Sequence, residues 1–530
     1  MQRDIHCVIG SGPAGVACAT GLLARGRPVL LLDAGLELEP ARAAVVGALA
    51  EQPPAEWPAA ALAQIKAGMD AGAGGVPLKL LFGSDFPYRD TQKWIPWSSQ
   101  GAELKPSLAL GGLSNVWGAA MLPYRDEDMQ GWPVKNRELA EHYRAVARFT
   151  GLSAQTDDLS EWFPLPGEDF SVLRPSRQTQ ILLGNLARRR TALRERGWRF
   201  GRSRVAVRVR AGERGAGCNY CGLCMHGCPY GAIYNSATTV REMQRNPLFT
   251  LRTGVVVTHV NDTAAGATVT ARDMATGADL NFTVRRVYVA AGVMPTAQII
   301  LRSRAAYDRP VTLRDSQYFL FPLLLAKGAG RVAREPLYTL SQAFIELQRP
   351  EISPHTVHLQ IYSYSEIIGQ ALRKTFGPLA KPLEWIARGM EERMLVVQGY
   401  LHSDESRTIG MRLRREGDRD RLELQALAGP NPRPAIRRVL RELLRQTRAL
   451  GGVALPPMLQ IAEPGRGFHN GGSFPMRDTP GEFETDRLGR LPGWRHIHLA
   501  DASVLPSIPA TTITFSAMAN AHRIGWESSA

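Results

Sequence analysis

Two short apolar runs joined through a glycine turn constrain this chain more than any other feature. Residues 5–10 are apolar, Gly10-Ser11-Gly12-Pro13-Ala14-Gly15 follows, Val16 to Arg25 suits a helix, and Pro28 to Leu32 is a second apolar run ending in Asp33. This is β-α-β spacing. Gly10 permits a tight turn, Gly12 lets the backbone approach a pyrophosphate, and Gly15 lets helix and strand pack closely, with the helix N-terminus facing the phosphates. Asp33 stands about 20 residues on, where an acid hydrogen-bonds a ribose 2′-hydroxyl. A purely structural glycine turn is the alternative. The motif does not separate FAD from NAD.

At 530 residues the chain calls for two or more intertwined domains. Its hydrophobic content of 44% and charged content of 21% suit a globular enzyme able to bury a large cofactor. The formal net charge is +15, supplied mostly by arginine. No block of consecutive basic residues with interleaved aromatics occurs, so nucleic acid is not an expected partner. A strand begins almost at the first residue and no signal-like segment is recognisable, nor a run of about 18 apolar residues. The expectation is a protein that is cytoplasmic or peripheral to the cytoplasmic membrane, and periplasmic only if exported with a partner subunit.

Cysteine use is lopsided. Cys7 and Cys18 lie in the first motif, and the other four form Cys218-x-x-Cys221-x-x-Cys224-x-x-x-Cys228-Pro229. This spacing matches the bacterial ferredoxin run, whose thiolates wrap an iron–sulfur cluster. A four-iron cluster with Cys228 as ligand is preferred over a three-iron one. A tetrahedral zinc site is the alternative.

Two further segments carry polar groups between glycines. Gly111-Gly112-Leu113-Ser114-Asn115-Val116-Trp117-Gly118 allows close backbone approach to a flat ligand, which Asn115 can hydrogen-bond. Gly467-Phe468-His469-Asn470-Gly471-Gly472-Ser473 places a histidine, suited to general-base work, on a loop. A lone loop histidine is more often structural, but here it keeps company with other motifs. Together with Trp132-Pro133, Ala290-Ala291-Gly292 and Ala500-Asp501-Ala502-Ser503, these segments resemble, in order and across nearly the whole chain, the glucose–methanol–choline (GMC) type of flavoprotein. The four-cysteine loop narrows the resemblance to the branch that includes catalytic subunits of bacterial FAD-dependent glucose and gluconate dehydrogenases. Long-chain alcohol oxidases have a similar Gly-Cys-Pro segment.

The resemblance implies an α/β fold with a Rossmann-type FAD-binding domain and an interleaved α+β substrate domain. It implies FAD held by Gly10, Gly12, Gly15, Asp33, Gly111, Gly112, Ser114, Asn115, Gly118, Val256, Ala291, Gly292, Asp501 and Ala502. It also implies that His469 takes the proton of an alcohol while hydride passes to flavin, and electrons then leave through the cluster to a cytochrome, a ferredoxin or a quinone. A small partner subunit is part of that expectation. One position departs from the family: Ala510 stands where it usually has Asn or His. Asn470, Thr511 or Thr512 are candidates to replace that group, and Thr512 joins His469 and Asn470 as a catalytic candidate. Altered chemistry, as a reductase, an isomerising enzyme or a non-catalytic electron-transfer subunit, is the alternative reading.

The expected map is residues 1–135 and 204–310 as two parts of the cofactor domain, with the cluster loop at 211–240. Residues 136–203 form a substrate or cap region, 311–460 the substrate-binding domain, and 461–530 the last cofactor part, with the catalytic histidine. Residues 36–100 look irregular, 136–150 and 434–450 helical, and 249–291 strand-rich. Ile368 to Met390 reads as a basic amphipathic stretch broken by Gly377, Pro378 and Pro382. It suits an edge of the substrate domain, a subunit contact, or peripheral contact with a membrane.

Overall fold

The computed structural model describes residues 4–68, 78–212, 216–376, 382–417 and 419–529. Its first layer is a five-stranded parallel sheet in the order Ile497–Leu499, Arg286–Val289, His6–Ile9, Val29–Leu32, Phe249–Arg252. These strands are short, apolar and mostly buried, as expected where both faces of a parallel sheet are covered. The helix Pro13–Ala24 starts directly after the glycine turn, with proline at its first position, where no N–H is needed.

That helix packs along the C-terminal helix Ile513–Ser528, and two glycines set the closeness. A Cβ on Gly21 would lie 2.5 Å from the His522 carbonyl oxygen, and one on Gly525 would lie 2.5 Å from that of Cys18. The two ends of the sequence therefore share one core, as the motif distribution implies. A three-stranded meander, Val255–Thr263, Gly266–Asp273 and Asp279–Val284, flanks this layer where a strand-rich segment is expected.

The second layer is a mostly antiparallel sheet in which Gly452–Ala454, Tyr318–Leu325, Met394–Tyr400, Val357–Tyr362, Ala343–Leu347 and Trp198–Arg202 pair in that order. Strand alternation gives it two unlike faces. Phe319, Phe321, Ile345, Leu359, Ile361, Leu395 and Val397 pack with Leu182 and Leu186 of the helix Arg177–Ala187 and with Ile436, Val439 and Leu443 of Arg433–Arg445. The opposite face carries Tyr318, His358, Gln360, Tyr362, Gln398 and Tyr400. Residues 177–202, from the expected substrate or cap region, pack with this layer.

A third sheet ties the layers together: Asn470–Gly471, Pro310–Asp315, Ile409–Glu416, Arg419–Ala426 and Trp97–Gln100. The expected helix at 136–150 spans Asn136–Thr150. Residues 36–100 are more regular than expected. Alanine-rich sequence there forms the helices Pro40–Ala50 and Ala59–Lys66, which close over Trp57, Phe82 and Leu223. The basic amphipathic stretch forms the helices Glu366–Phe376 and Glu384–Glu391, clamped by Arg373 to Glu384 and Glu391. Its middle, residues 377–381 with Leu379, lies outside the described residues. Among those described, no helix is long and apolar enough to cross a membrane.

Candidate active site

A cavity of about 410 Å³ begins at the glycine turn and ends at His469. Gly10, Ser11, Gly12 and Pro13 border one end, and Tyr318, Gln360, Tyr362, Gln398 and Tyr400 the other. A second cavity of about 830 Å³ adjoins it and shares Gly10, Asp33, Ser107, Ala291 and Pro295. Val256 lines that second space, as does Arg302. Such an elongated pair of spaces, crossing a helix N-terminus, suits a dinucleotide.

The glycines divide their labour. A Cβ on Gly15 would lie 1.9 Å from the Gly10 carbonyl oxygen, so this glycine serves helix–strand packing. A Cβ on Gly12 meets nothing within 4 Å, so its missing side chain leaves open space at the cavity wall. Asp33 accepts the backbone N–H of Ser11 and that of Gly35, both at 2.7 Å, which fixes the turn. Burial nevertheless raises its carboxyl to about 6.

The segment 111–118 behaves differently from expectation. Asn115 does not present its amide to the cavity. Its nitrogen donates to the carbonyls of Leu110 and Gly112, and its oxygen accepts from Asn235. Ser114 Oγ donates to the Gly111 carbonyl and contacts Ser236. Both side chains fold the loop and so free the backbone of Gly112 and Gly118 to border the cavity. Gly111 keeps a left-handed φ of +86° and donates its N–H to Ser11 Oγ.

Asp501 is also an organiser. It accepts from Gly292 N at 2.9 Å, Thr296 Oγ1 at 2.6 Å and Ser503 N at 2.9 Å. These bonds hold Ala291, Gly292 and Ala502 against the cavity. The Ala502 carbonyl accepts from Gly472 N, which joins this segment to the histidine loop.

His469 is set by backbone pairing. Its carbonyl accepts from Ser316 N at 2.9 Å, and the next residue, Asn470, pairs with Asp315 across the third sheet. Phe468 before it takes a left-handed φ of +56°, an uncommon conformation for a bulky residue. The His469 ring stacks on Tyr400, centroids 4.4 Å apart. Burial, reinforced by His358, pushes its imidazole down to about 3, so it stands neutral near pH 7. Asn470 lines the cavity beside it. Thr512 does not: it lies outside the lining, and its hydroxyl accepts from Leu122 N at 2.7 Å. That bond removes the reason for ranking it as catalytic. Ala510 is buried against Tyr318 and Tyr400.

Sequence reasoning missed the polar floor of the cavity. Gln360 pairs with Gln398, and Tyr400 with both His358 and Tyr318, across adjacent strands. Polar residues two apart in Val357–Tyr362 and in Met394–Tyr400 were the available signal. It also missed Thr514 and Ala517, on the first turns of the C-terminal helix, whose positive end faces the cavity.

The four cysteines are free thiols on one loop. The backbone is left-handed at Tyr220, Gly222 and Gly227, which curls the loop. Cys224 Sγ accepts from Thr339 N and Cys228 Sγ from Ala232 N, each at 3.3 Å. No three of the thiols have sulfurs within 4.8 Å of one another. A single zinc ion, with zinc–sulfur bonds of about 2.3 Å, would draw them closer than that. Met225 of this loop lines the same cavity as His469, as does Lys79, whose ammonium donates to the Trp117 carbonyl at 3.3 Å.

No family model and no curated protein matches the chain. Among solved structures it is similar to pyridoxine 4-oxidase from Mesorbium loti, at 13% identity and a TM-score of 0.59, covering 99% of each chain. It is similar to a formate oxidase at 14% identity and a TM-score of 0.60, over 100% of this chain and 98% of that one. It is likewise similar to a fungal aryl-alcohol oxidase, at 12% identity and a TM-score of 0.58, over 99% and 98%. Likeness at this identity shows the fold: a Rossmann-type dinucleotide domain with an interleaved substrate domain.

Proposed function

We propose that this chain is a GMC-type, FAD-dependent oxidoreductase that oxidises a hydroxyl group, with His469 as the proton acceptor. The observation that carries the reading is one cavity running from a dinucleotide turn to a neutral, buried-side imidazole. The full-length likeness to oxidases, one of them a formate oxidase described with modified FAD, supports it. FAD, when bound, supplies the two-electron acceptor for the hydride leaving carbon. Gly10 to Pro13 with Asp33 and Val256 would hold its dinucleotide portion, and Gly112, Gly118, Ala291, Gly292 and Ala502 its remainder. The chain's own groups do the rest. His469 accepts the hydroxyl proton, Asn470 orients the oxygen, and the polar floor binds the substrate.

We further propose that Cys218, Cys221, Cys224 and Cys228 hold an iron–sulfur cluster. The donor set, the N–H bonds to two sulfurs and the wide thiol spacing fit such a group better than a single ion. Its place beside Met225, on the cavity wall, suits passage of electrons to an external protein or quinone. The amphipathic helices Glu366–Phe376 and Glu384–Glu391, with Trp385 exposed, are the proposed membrane-facing edge.

The test is anaerobic mixing of the flavin-loaded protein with D-glucose, glycerol, benzyl alcohol and 1-octanol. Bleaching of flavin absorbance by at least one of them is the expected result. A flavin that stays oxidised with all four, yet is reduced by ferredoxin, would overturn the direction of the chemistry.

A further inference from the structure

Behind His469 lies a second buried imidazole that the proposed chemistry does not use. His358 and Glu346 face each other across adjacent strands, and the His358 Nδ1 to Glu346 Oε1 distance is 2.5 Å. Both residues are 0% exposed. Glu346 is the only acidic residue on the strands of the second layer's sheet. Isolated burial of such a pair is expensive, and apolar replacements of the same shape are often as stable or more so. Stability therefore does not account for it.

Register shows where the pair leads. Glu346 stands opposite His358, His358 opposite Tyr400, and Tyr400 opposite Tyr318, so one polar row crosses four strands. The His358 ring lies 6.1 Å from that of Tyr400, which also packs on Tyr318 and stacks on the ring of His469. His358 Nε2 and His469 Nδ1 are both buried with no hydrogen-bond partner among the described residues. The other groups facing this row are the guanidinium of Arg204 and the carboxyl of Asp128, both near Glu346, and the carboxyl of Asp315 and the phenol of Tyr362, near Tyr400. Asp315 is held largely protonated by its burial, which raises it to about 8. Glu346 is thus the acidic side chain on the row itself, aligned through His358 with Tyr400 and the ring stacked on it.

We propose that Glu346 and His358 are positioning residues for proton transfer at His469. The pair braces Tyr400 against the His469 ring and offsets the positive charge that His469 acquires. In that step the substrate O–H bond breaks and an N–H bond forms at His469; no atom passes to Glu346 or His358. The inference rests on the proposed oxidation at His469.

The experiment is a double-mutant cycle on the flavin-loaded protein, using Glu346→Gln, His469→Ala and both together, with the panel alcohol that bleaches flavin fastest. Glu346→Gln is expected to slow flavin reduction at saturating alcohol by about tenfold to hundredfold, the usual cost of losing an outer-shell partner. The half-saturating alcohol concentration stays unchanged. The double variant is no slower than His469→Ala. Independently of turnover, nitrogen NMR of histidine-labelled resting protein should show the His469 ring signals shifted in Glu346→Gln. If Glu346→Gln does not fold, Glu346→Leu with His358→Phe keeps the volume and should show the same slowing. A slow His469→Ala beside a full-speed Glu346→Gln, multiplying effects in the cycle, or unmoved His469 signals would overturn the inference alone. A full-speed His469→Ala would instead refute the base assignment, and the inference with it.

Discussion

The imidazole of His469 lies flat on the phenol ring of Tyr400, with centroids 4.4 Å apart and planes 20° from parallel. The stack fixes the ring plane, and with it the direction in which a nitrogen meets substrate. His469→Ala should slow flavin reduction by about 10²–10⁴-fold, the usual loss with a general base. Flavin content should be unchanged. Single-turnover absorbance measurements check this, and wild-type rates would exclude His469 as the base.

Gly12 and Gly15 should fail in different ways. The space around a Cβ at Gly12 is open and its φ is −61°, so Gly12→Val should fold normally yet purify colourless. Gly15→Val should instead lose the fold, because its Cβ would overlap the Gly10 carbonyl. Circular dichroism and flavin absorbance together separate the outcomes.

Cys221→Ser should lower iron and labile sulfide in anaerobically purified protein, relative to wild type. Stoichiometric zinc without sulfide would exclude the cluster.

Ala510 stands where flavoproteins that the sequence resembles usually carry Asn or His, but the structure predicts that an Asn there does harm. Its site is 1% exposed and closed by Tyr318 and Tyr400. Ala510→Asn should cost about 1–3 kcal/mol through overpacking. A lowered unfolding midpoint without faster flavin reduction is the expected pairing.

Asp315 gives a pH test. Its folded-state pKa is raised to about 8 by burial, well above the unfolded carboxyl near 3.8. The folded state therefore binds more protons between these values, and stability should fall as pH rises through that window. The slope is about 1.4 kcal/mol per pH unit where it is steepest. Asp315→Asn should remove that component, so the stability difference between variant and wild type should grow with pH. A pH-independent difference in denaturant titrations would exclude it.

The glycine turn and the parallel core were legible because each residue there answers a local backbone demand: Gly15 must clear Gly10, and Pro13 must start a helix. His469 was legible through its glycine neighbours. The floor of the cavity was not. Val357–Tyr362 alternates apolar and polar residues, a pattern that reads as one buried face and one facing water. Here the polar face turns inward, and only the packing of distant strands reveals it. Asn115 misled for the opposite reason: its polar group is spent on the loop that carries it.

The close approach at Gly21 and Gly525 has a consequence for the order in which the protein is made. The first helix, Pro13–Ala24, leaves the ribosome well before its main packing partner, Ile513–Ser528. Arg27 and Ser529, which hydrogen-bond, are 502 residues apart. At about 5–20 residues per second of synthesis, the nascent helix waits tens of seconds for that surface to be covered. During that interval the apolar residues Val16, Ala17 and Leu22, fully buried in the finished protein, have no native cover. A ribosome stalled short of residue 513 should therefore display the first helix with its apolar face uncovered, as an aggregation-prone chain.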